Sequence, residues 1–303
     1  MYYYRLYGQV TRSEVKIQEA DEITVDKDTD IDLDIVYGMP PEWVMEQYSE
    51  ENFEYLTYDV MWVYIKDVGI FYLENGSEIR IWKECEKLTD REICTYLMTS
   101  MMGLMLIQKK LIPLHGSALS YNGKAVIVSG CSGSGKSTTA LSLLDKGLKF
   151  VADDVSAVRR VDDKYYVFPG PPWQKVKRDV YEASDNPEEF EYINEFRDKF
   201  ARRLPKGSYI SEQIPVGCMF VVCAENVDEV ELCEVTGVDK LHYITNNLYR
   251  GRVYHVSGIN TERMQMFLDA AANIPIYVLK RPRGKDTSKE SLELIYSQIL
   301  QIC

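Results

Sequence analysis

The sequence predicts an α/β protein in two parts: a smaller β-rich N-terminal domain over residues 1–88, then a domain over residues 89–303 whose sheet mixes parallel and antiparallel strands. Three observations carry this. Apolar residues alternate in short runs through the first part, an Asn-Gly pair joins two apolar segments at Asn122-Gly123, and a glycine-rich loop starting at Gly130 separates a strand-like run from a helix-like one. With 303 residues the chain is long enough to bury two ordinary cores.

In chain order, residues 4–6, Ile31-Asp32-Leu33-Asp34-Ile35 and Trp62-Val63-Tyr64-Ile65 keep the two-residue period of half-buried strands, broken by Gly38, Pro40, Pro41 and Asn75-Gly76. Asp26, Asp28, Asp30, Asp32 and Asp34 share that period and read as the wet face of a strand. A calcium loop would need glycine and glutamate where the chain has Ile31 and Tyr37. Thr89-Asp90-Arg91-Glu92 is a capping box, and Ile93, Tyr96, Leu97, Met101, Leu104 and Met105 keep helical spacing, so a helix over about 90–110 opens the second part. Met98, Met101, Met102 and Met105 are gap-filling core residues.

Apolar segments 114–120 and 124–129 flank Tyr121-Asn122-Gly123, so the strand that enters the glycine-rich loop has an antiparallel partner directly before it. The sheet is therefore mixed. Residues 136–146 read as a helix closed by Gly147, and 149–152 as a buried strand ending in Asp153-Asp154. Further strands fall at 165–168, 219–222 and 276–279, while the mixed-charge stretch 181–207 reads as a solvated helical segment with a loop. A second capping box, Thr287-Ser288-Lys289-Glu290, heads a helix with Leu292, Ile295, Tyr296 and Ile299 on one face.

Charge and composition exclude several classes. Lys and Arg number 35 against 47 Asp and Glu, a net charge of −12, which repels nucleic acid and acidic membrane surfaces. The longest apolar stretch, 96–107, is interrupted by Thr99 and Ser100 and falls short of the roughly 20 residues of a membrane-spanning helix. An N-terminus MYYYRLYGQV without export-signal blocks, and an odd set of seven cysteines without C-x-x-C, predict a cytoplasmic protein with reduced thiols. His115, His242 and His255 lack zinc-ligand spacing, so a metal here is expected to be oxygen-bound.

Gly130-Cys131-Ser132-Gly133-Ser134-Gly135-Lys136-Ser137 satisfies G-x-x-x-x-G-K-[ST] between a strand and a helix, the context the motif requires. Its glycines let successive N–H groups curl inward, and the following helix adds the positive end of its dipole. Residues 130–138, with Thr138 in the first helical turn, are the candidate ATP-binding set; Lys136 would bridge the β- and γ-phosphates and Ser137 would ligate Mg²⁺. Asp153 and Asp154 end the neighbouring strand, where one carboxylate can hold Mg²⁺ (Asp153) and the other can accept a proton from a hydroxyl (Asp154). His115, on the hairpin partner strand, can reach the phosphates from beside the loop.

The run from His115 to Asp154 resembles, colinearly and without gaps, the C-terminal catalytic domain of HPr kinase/phosphorylase, itself related to the phosphoenolpyruvate-carboxykinase nucleotide-binding fold. The resemblance implies a P-loop, phosphoenolpyruvate-carboxykinase-like mixed-sheet core. It places the family's catalytic histidine on His115, its phosphate-loop lysine on Lys136, its magnesium-binding serine on Ser137 and its acceptor-deprotonating aspartate on Asp154. Where the family carries a glycine-rich segment of the type HRGLGIIN, this chain has Phe168-Pro169-Gly170-Pro171-Pro172-Trp173-Gln174-Lys175. That P-G-x-P-like segment is similar to a broader group of HPr-kinase-like proteins, among them peptide-tailoring and small-molecule kinases. Bacterial HPr kinases assemble as hexamers, so the resemblance implies self-association.

A kinase also needs cations for the charge that spreads over the transferring phosphoryl group. The candidates are Lys175, residues 199–203, Arg250, Arg252 and the cluster Lys280, Arg281 and Arg283. The leading reading is an ATP- and Mg²⁺-dependent kinase acting on a hydroxyl of a protein, a peptide or a small alcohol. A carboxykinase would need a second metal and carboxylate-binding groups, and a non-catalytic ATP-binding regulator would need neither Asp154 nor His115.

Overall fold

The computed structural model describes residues 1–131, 133–182, 190–194 and 199–303, which form two compact units of mixed α/β structure. The first contains residues Met1–Leu111 and Arg250–Ile259. Its strands β1 (Tyr2–Leu6), β2 (Gln9–Ser13), β3 (Leu33–Tyr37), β4 (Glu54–Leu56), β5 (Val60–Ile65), β6 (Gly69–Glu74) and β7 (Glu78–Lys83) make a sheet in the order β1-β2-β3-β7-β6-β5-β4. β6 is buried on both faces. Helix α1 (Glu42–Gln47) covers one face by packing Val44 against Trp62, Ile70 and Tyr72. On the other, Phe71 meets Tyr96 of α2 (Asp90–Tyr96).

Thr89 caps α2 as expected, accepting from Glu92 N–H while the Glu92 carboxylate accepts from Thr89 N–H (2.8 Å). A π-turn at Leu97–Met101 leads into α3 (Met102–Gln108), buried all round. This helix packs in the first unit, although the cap alone suggested that it opens the second. Gln108 shows why: its side chain accepts from Gly76 N–H (2.9 Å) and donates to Leu73 O (3.3 Å), tying the helix end to the β6–β7 turn. Of the five aspartates expected on a strand, Asp34 alone lies in β3, paired with Arg12 at 2.6 Å. The preceding Asp-rich residues run as loop, in keeping with the low strand propensity of aspartate.

The second unit contains Ile112–Tyr249 and Asn260–Cys303. It begins with the hairpin of β8 (Ile112–Tyr121) and β9 (Lys124–Gly130), whose turn residues Asn122 (φ 47°) and Gly123 (φ 76°) are both left-handed, as a two-residue hairpin turn requires. There follow α4 (Lys136–Asp145), β10 (Lys149–Ala152), β11 (Val155–Val161), β12 (Lys164–Phe168), β13 (Trp173–Lys177), α5 (Arg178–Glu182), β14 (Phe190–Asn194), β15 (Lys199–Arg203), β16 (Ile214–Glu225), β17 (Glu231–Val235) and α6 (Asp239–Asn246). After α7 (Arg252–Ser257), which belongs to the first unit, come α8 (Thr261–Asn273), β18 (Ile276–Pro282) and α9 (Ser288–Ile302).

β9, β16 and β18 are parallel neighbours, with β8 and β17 added antiparallel on either side and β10 beyond β8. The long strands β8 and β16 also pair with β11 and β12, which are themselves a hairpin, so the chain closes a ring of strands. Helices α4 and α9 cover one face: Leu143, Ile295 and Ile299 pack with Val126, Val128, Phe220 and Leu279. Each such fully buried side chain stabilises by about 1.5–3 kcal/mol.

Two local expectations are corrected. Within 181–207 the described residues give a short helix and strands β14 and β15, joined to β13 in a separate sheet. Phe190 and Tyr192 alternate with charged neighbours, and Tyr181 stacks on Phe200 at 3.9 Å, so an aromatic period-2 signal was hidden by the charge. Residues 183–189 and 195–198 lie outside the described residues. At α9, Thr287 makes no side-chain cap; Asp286 Oδ1 instead accepts from Ser288 N–H (3.0 Å).

Candidate active site

The parallel strands β9, β16 and β18 end on one edge of the sheet, the place where open α/β sheets hold ligands. Gly130 closes β9 with φ 139°, and an added Cβ would lie 2.3 Å from Val222 O on the neighbouring strand. Nothing larger fits there. Gly130→Ala is expected to cost about 3 kcal/mol or more from clash and backbone strain. An unchanged urea midpoint would contradict it.

Beyond Gly130, Ser134 N–H donates back to Cys131 O (3.1 Å), and Gly133 (φ 80°) and Gly135 (φ 104°) carry the left-handed turns that lead into α4. Helix α4 starts at Lys136 with no side-chain cap among the described residues and no acidic residue in its first turn. Its first-turn amides thus have no intrahelical acceptor and sit at the positive end of the dipole. Ser134 Oγ is buried without a hydrogen-bond partner among the described residues. An uncapped helix start, left-handed glycines and an orphaned hydroxyl all fit a phosphate group. Cys131, Ser137 and Thr138 are exposed around this start, and Ser132 lies outside the described residues.

Asp154 has φ 63°, a left-handed conformation that aspartate tolerates better than most residues. Val155 N–H donates to Asp153 O (2.8 Å) across it, so a three-residue turn separates β10 from β11 and splays the two carboxylates. Asp153 accepts from Ser117 Oγ–H (2.8 Å) and from Lys175 N–H (3.0 Å). Asp154 Oδ2 pairs with Lys175 Nζ at 2.9 Å, with both side chains largely buried. His115 donates from Nδ1 to Asp154 O (3.1 Å). The strand is steadied behind it: His115 N–H donates to Asn247 O (2.7 Å), and Ser129 Oγ lies 2.6 Å from His115 O and 2.8 Å from Asn247 Oδ1.

Ser137 and Asp153 line one cleft together with Ser117, Gln174 and Lys175. A hydroxyl and a carboxylate oxygen are suitable donors for Mg²⁺. Burial, and then the charge of Asp154, push the Asp153 carboxyl above the usual carboxylate range, against the hydrogen bonds from Ser117 and Lys175. For Lys175, burial acts to lower the pKa, but the charges of Asp154 and Asp153 outweigh it and hold the ammonium above its ordinary value.

The Asp153 shift has a thermodynamic sign. A carboxyl whose folded-state pKa is raised costs nothing at low pH, where both states are protonated; the cost grows as pH rises from the unfolded value through the folded one. Asp153→Asn removes it, since an amide can accept from Lys175 N–H and donate to Ser117 Oγ. The ligand-free variant is expected to melt above the wild type at about pH 8, by ~2–4 °C per kcal/mol recovered, with the gap closing toward about pH 4. A variant that melts lower at both pH values would refute this account.

Among the candidate cations, Lys175 reaches the acid pair, and Arg281 reaches the loop, donating to Ser134 O (2.6 Å) and Gly133 O (3.4 Å). The others have different partners. Arg202 bonds Gln174 (3.0 Å), Lys280 lies 3.8 Å from Glu225, and Arg283 bonds Ala224 O (2.8 Å). Arg250 and Arg252 bond Ser100 and Glu54 within the first unit, and the Lys199 side chain lies outside the described residues. Sequence reasoning missed Ser117, which the two-residue period of β8 places on the same face as His115.

Residues 108–176, which hold the loop, His115, both aspartates and Lys175, match the family model described as the HPr Serine kinase C-terminal domain. The resemblance read from the sequence stands, and it extends past Asp154 to the segment carrying Lys175. Three curated HPr kinase/phosphorylases are similar to part of this chain. That of Leptospira biflexa is 26% identical over 122 residues, covering 39% of this chain and 36% of the relative. That of Clostridium tetani is 33% identical over 95 residues (30% and 29%), and that of Peptoclostridium acidaminophilum 40% identical over 68 (22% of each). The chain thus spans 36% or less of the length of these relatives. A solved HPr(Ser) kinase/phosphatase from Coxiella burnetii aligns with 62% of this chain and 97% of its own, at 13% identity and a TM-score of 0.33. Among the described residues, no helix is long and apolar enough to cross a membrane.

Proposed function

We propose that this chain is a kinase with a P-loop, phosphoenolpyruvate-carboxykinase-like core, transferring the γ-phosphoryl group of Mg-ATP to a hydroxyl of a protein, a peptide or a small alcohol. The observation that carries the reading is the convergence of an uncapped loop–helix start with the paired acids Asp153 and Asp154 in the turn after β10. A phosphate-binding loop alone would serve any nucleotide binder. Two acids kept distinct by a left-handed turn, one in the cleft with Ser137 and one on a lysine, suit phosphoryl transfer to an alcohol.

The residues divide the work as follows. The loop amides and Lys136 hold the phosphates, while Ser137 and Asp153 offer oxygen ligands for Mg²⁺, which when bound neutralises charge on the phosphate oxygens. Asp154 takes the proton of the acceptor hydroxyl. His115 fixes the Asp154 backbone through its carbonyl. Lys175 pairs with Asp154 and offers positive charge where it develops during transfer.

The direct test is incubation with γ-labelled ATP and fractionated cytosol, followed by identification of whatever carries the label. Label is expected on an alcohol oxygen, with ADP released only when the acceptor fraction is present. Nucleotide binding without acceptor-dependent ADP release in any fraction would replace this reading with an ATP-binding regulator.

A further inference from the structure

We propose that Arg281 is a positioning residue of the phosphate loop, holding it from its carbonyl side so that the Gly135 N–H faces the phosphates. The proposal rests on the phosphate-loop reading above. Arg281 sits at the end of β18, a strand fixed on both sides: Arg281 is opposite Ala224 of β16, and Lys280 is opposite Glu231 of β17. Its guanidinium reaches over to the loop, with Nε donating to Ser134 O (2.6 Å) and Nη2 to Gly133 O (3.4 Å). The remaining nitrogen, Nη1, donates to Lys285 O (3.4 Å), which ties the group to the turn after its own strand.

Those two carbonyls matter because of peptide geometry. In a trans peptide the C=O and the following N–H point in opposite directions, and no peptide among the described residues is cis. Fixing Gly133 O therefore turns Ser134 N–H away from Arg281, and that N–H is spent inside the loop on Cys131 O (3.1 Å). Fixing Ser134 O turns Gly135 N–H to the side away from Arg281, one residue before the uncapped start of α4. A cation on the carbonyl oxygen also polarises the peptide and makes that N–H a stronger donor. The contact is close: a Cβ on Gly135 would lie 3.5 Å from Arg281 Nε, and φ 104° already demands glycine. The rigid fork of arginine suits two carbonyls at once, whereas a lysine could satisfy them only in turn.

The test compares Arg281→Met, Arg281→Lys and Lys136→Ala. Arg281→Met is expected to weaken Mg-ADP binding about tenfold in calorimetry, with Arg281→Lys intermediate. In the ligand-free protein the Gly135 amide resonance is expected to move in the methionine variant and to return part of the way with lysine, a signature that general loosening of the fold does not give. If Arg281→Met binds Mg-ADP like the wild type while Lys136→Ala does not, or if the Gly135 resonance stays in place, the positioning role is refuted and the loop reading survives. If Lys136→Ala itself keeps full affinity, the loop reading falls and this proposal with it. Should the methionine variant melt early, the lysine variant and the Gly135 resonance decide alone.

Discussion

Asp154→Asn is expected to lower phosphoryl transfer by ~10²–10⁴-fold, the usual contribution of a general base, while Mg-ATP affinity stays near that of the wild type. The geometry around Asp154 motivates this expectation. Asp154 is held in a left-handed turn, with its carboxylate on Lys175 and its carbonyl on His115. Asparagine keeps the size and tolerates the same backbone, so the turn survives, but an amide cannot take a proton from a hydroxyl. Lys175 then loses one partner and keeps Asp153 nearby, so the stability cost should be below the ~3–5 kcal/mol of a buried charge left wholly alone. The check is single-turnover transfer to the labelled acceptor alongside calorimetry. Full activity in this variant would move the base elsewhere, with His115 Nε2 the next group to test.

Lys136→Ala should weaken Mg-ATP binding by roughly 10- to 150-fold, since a hydrogen bond to a charged group contributes about 1.5–3 kcal/mol. Lys136 opens α4, where alanine is at least as good a helix former, so the helix and its packing through Leu143 should be unaffected. That separates a binding defect from a folding defect more cleanly than any glycine substitution in the loop. Unaltered affinity in calorimetry, with an unaltered melting temperature, would remove the phosphate-loop assignment.

Much of the site was legible in the sequence because its parts obey short-range rules. Asn122-Gly123 supplies the two left-handed residues of a tight hairpin, and Gly130, Gly133 and Gly135 supply the turns that bring the chain into α4. Thr89 and Glu92 cap a helix by reaching three residues along the chain. Such features need only the covalent neighbours to be right. The misreadings have the same origin. Thr287 looked like a cap by spacing, yet Asp286 makes the bond, and the charged side chains around Phe190 and Phe200 masked the alternation of two strands.

The sequence by itself determined the loop, the hairpin before it, the paired aspartates after it and alternating runs that fall in β1, β3 and β5, since periodicity and turn chemistry are written within a few residues. Only the tertiary structure decided that Lys175 rather than a distant arginine meets Asp154, that Ser117 supports Asp153, that Arg281 grips the loop, and that the helix over 90–108 packs on the first sheet. Strand order brings residues 281 and 133 together across 148 positions of chain, and no local rule encodes that order. It follows from which apolar faces can be buried together, a property of the whole fold.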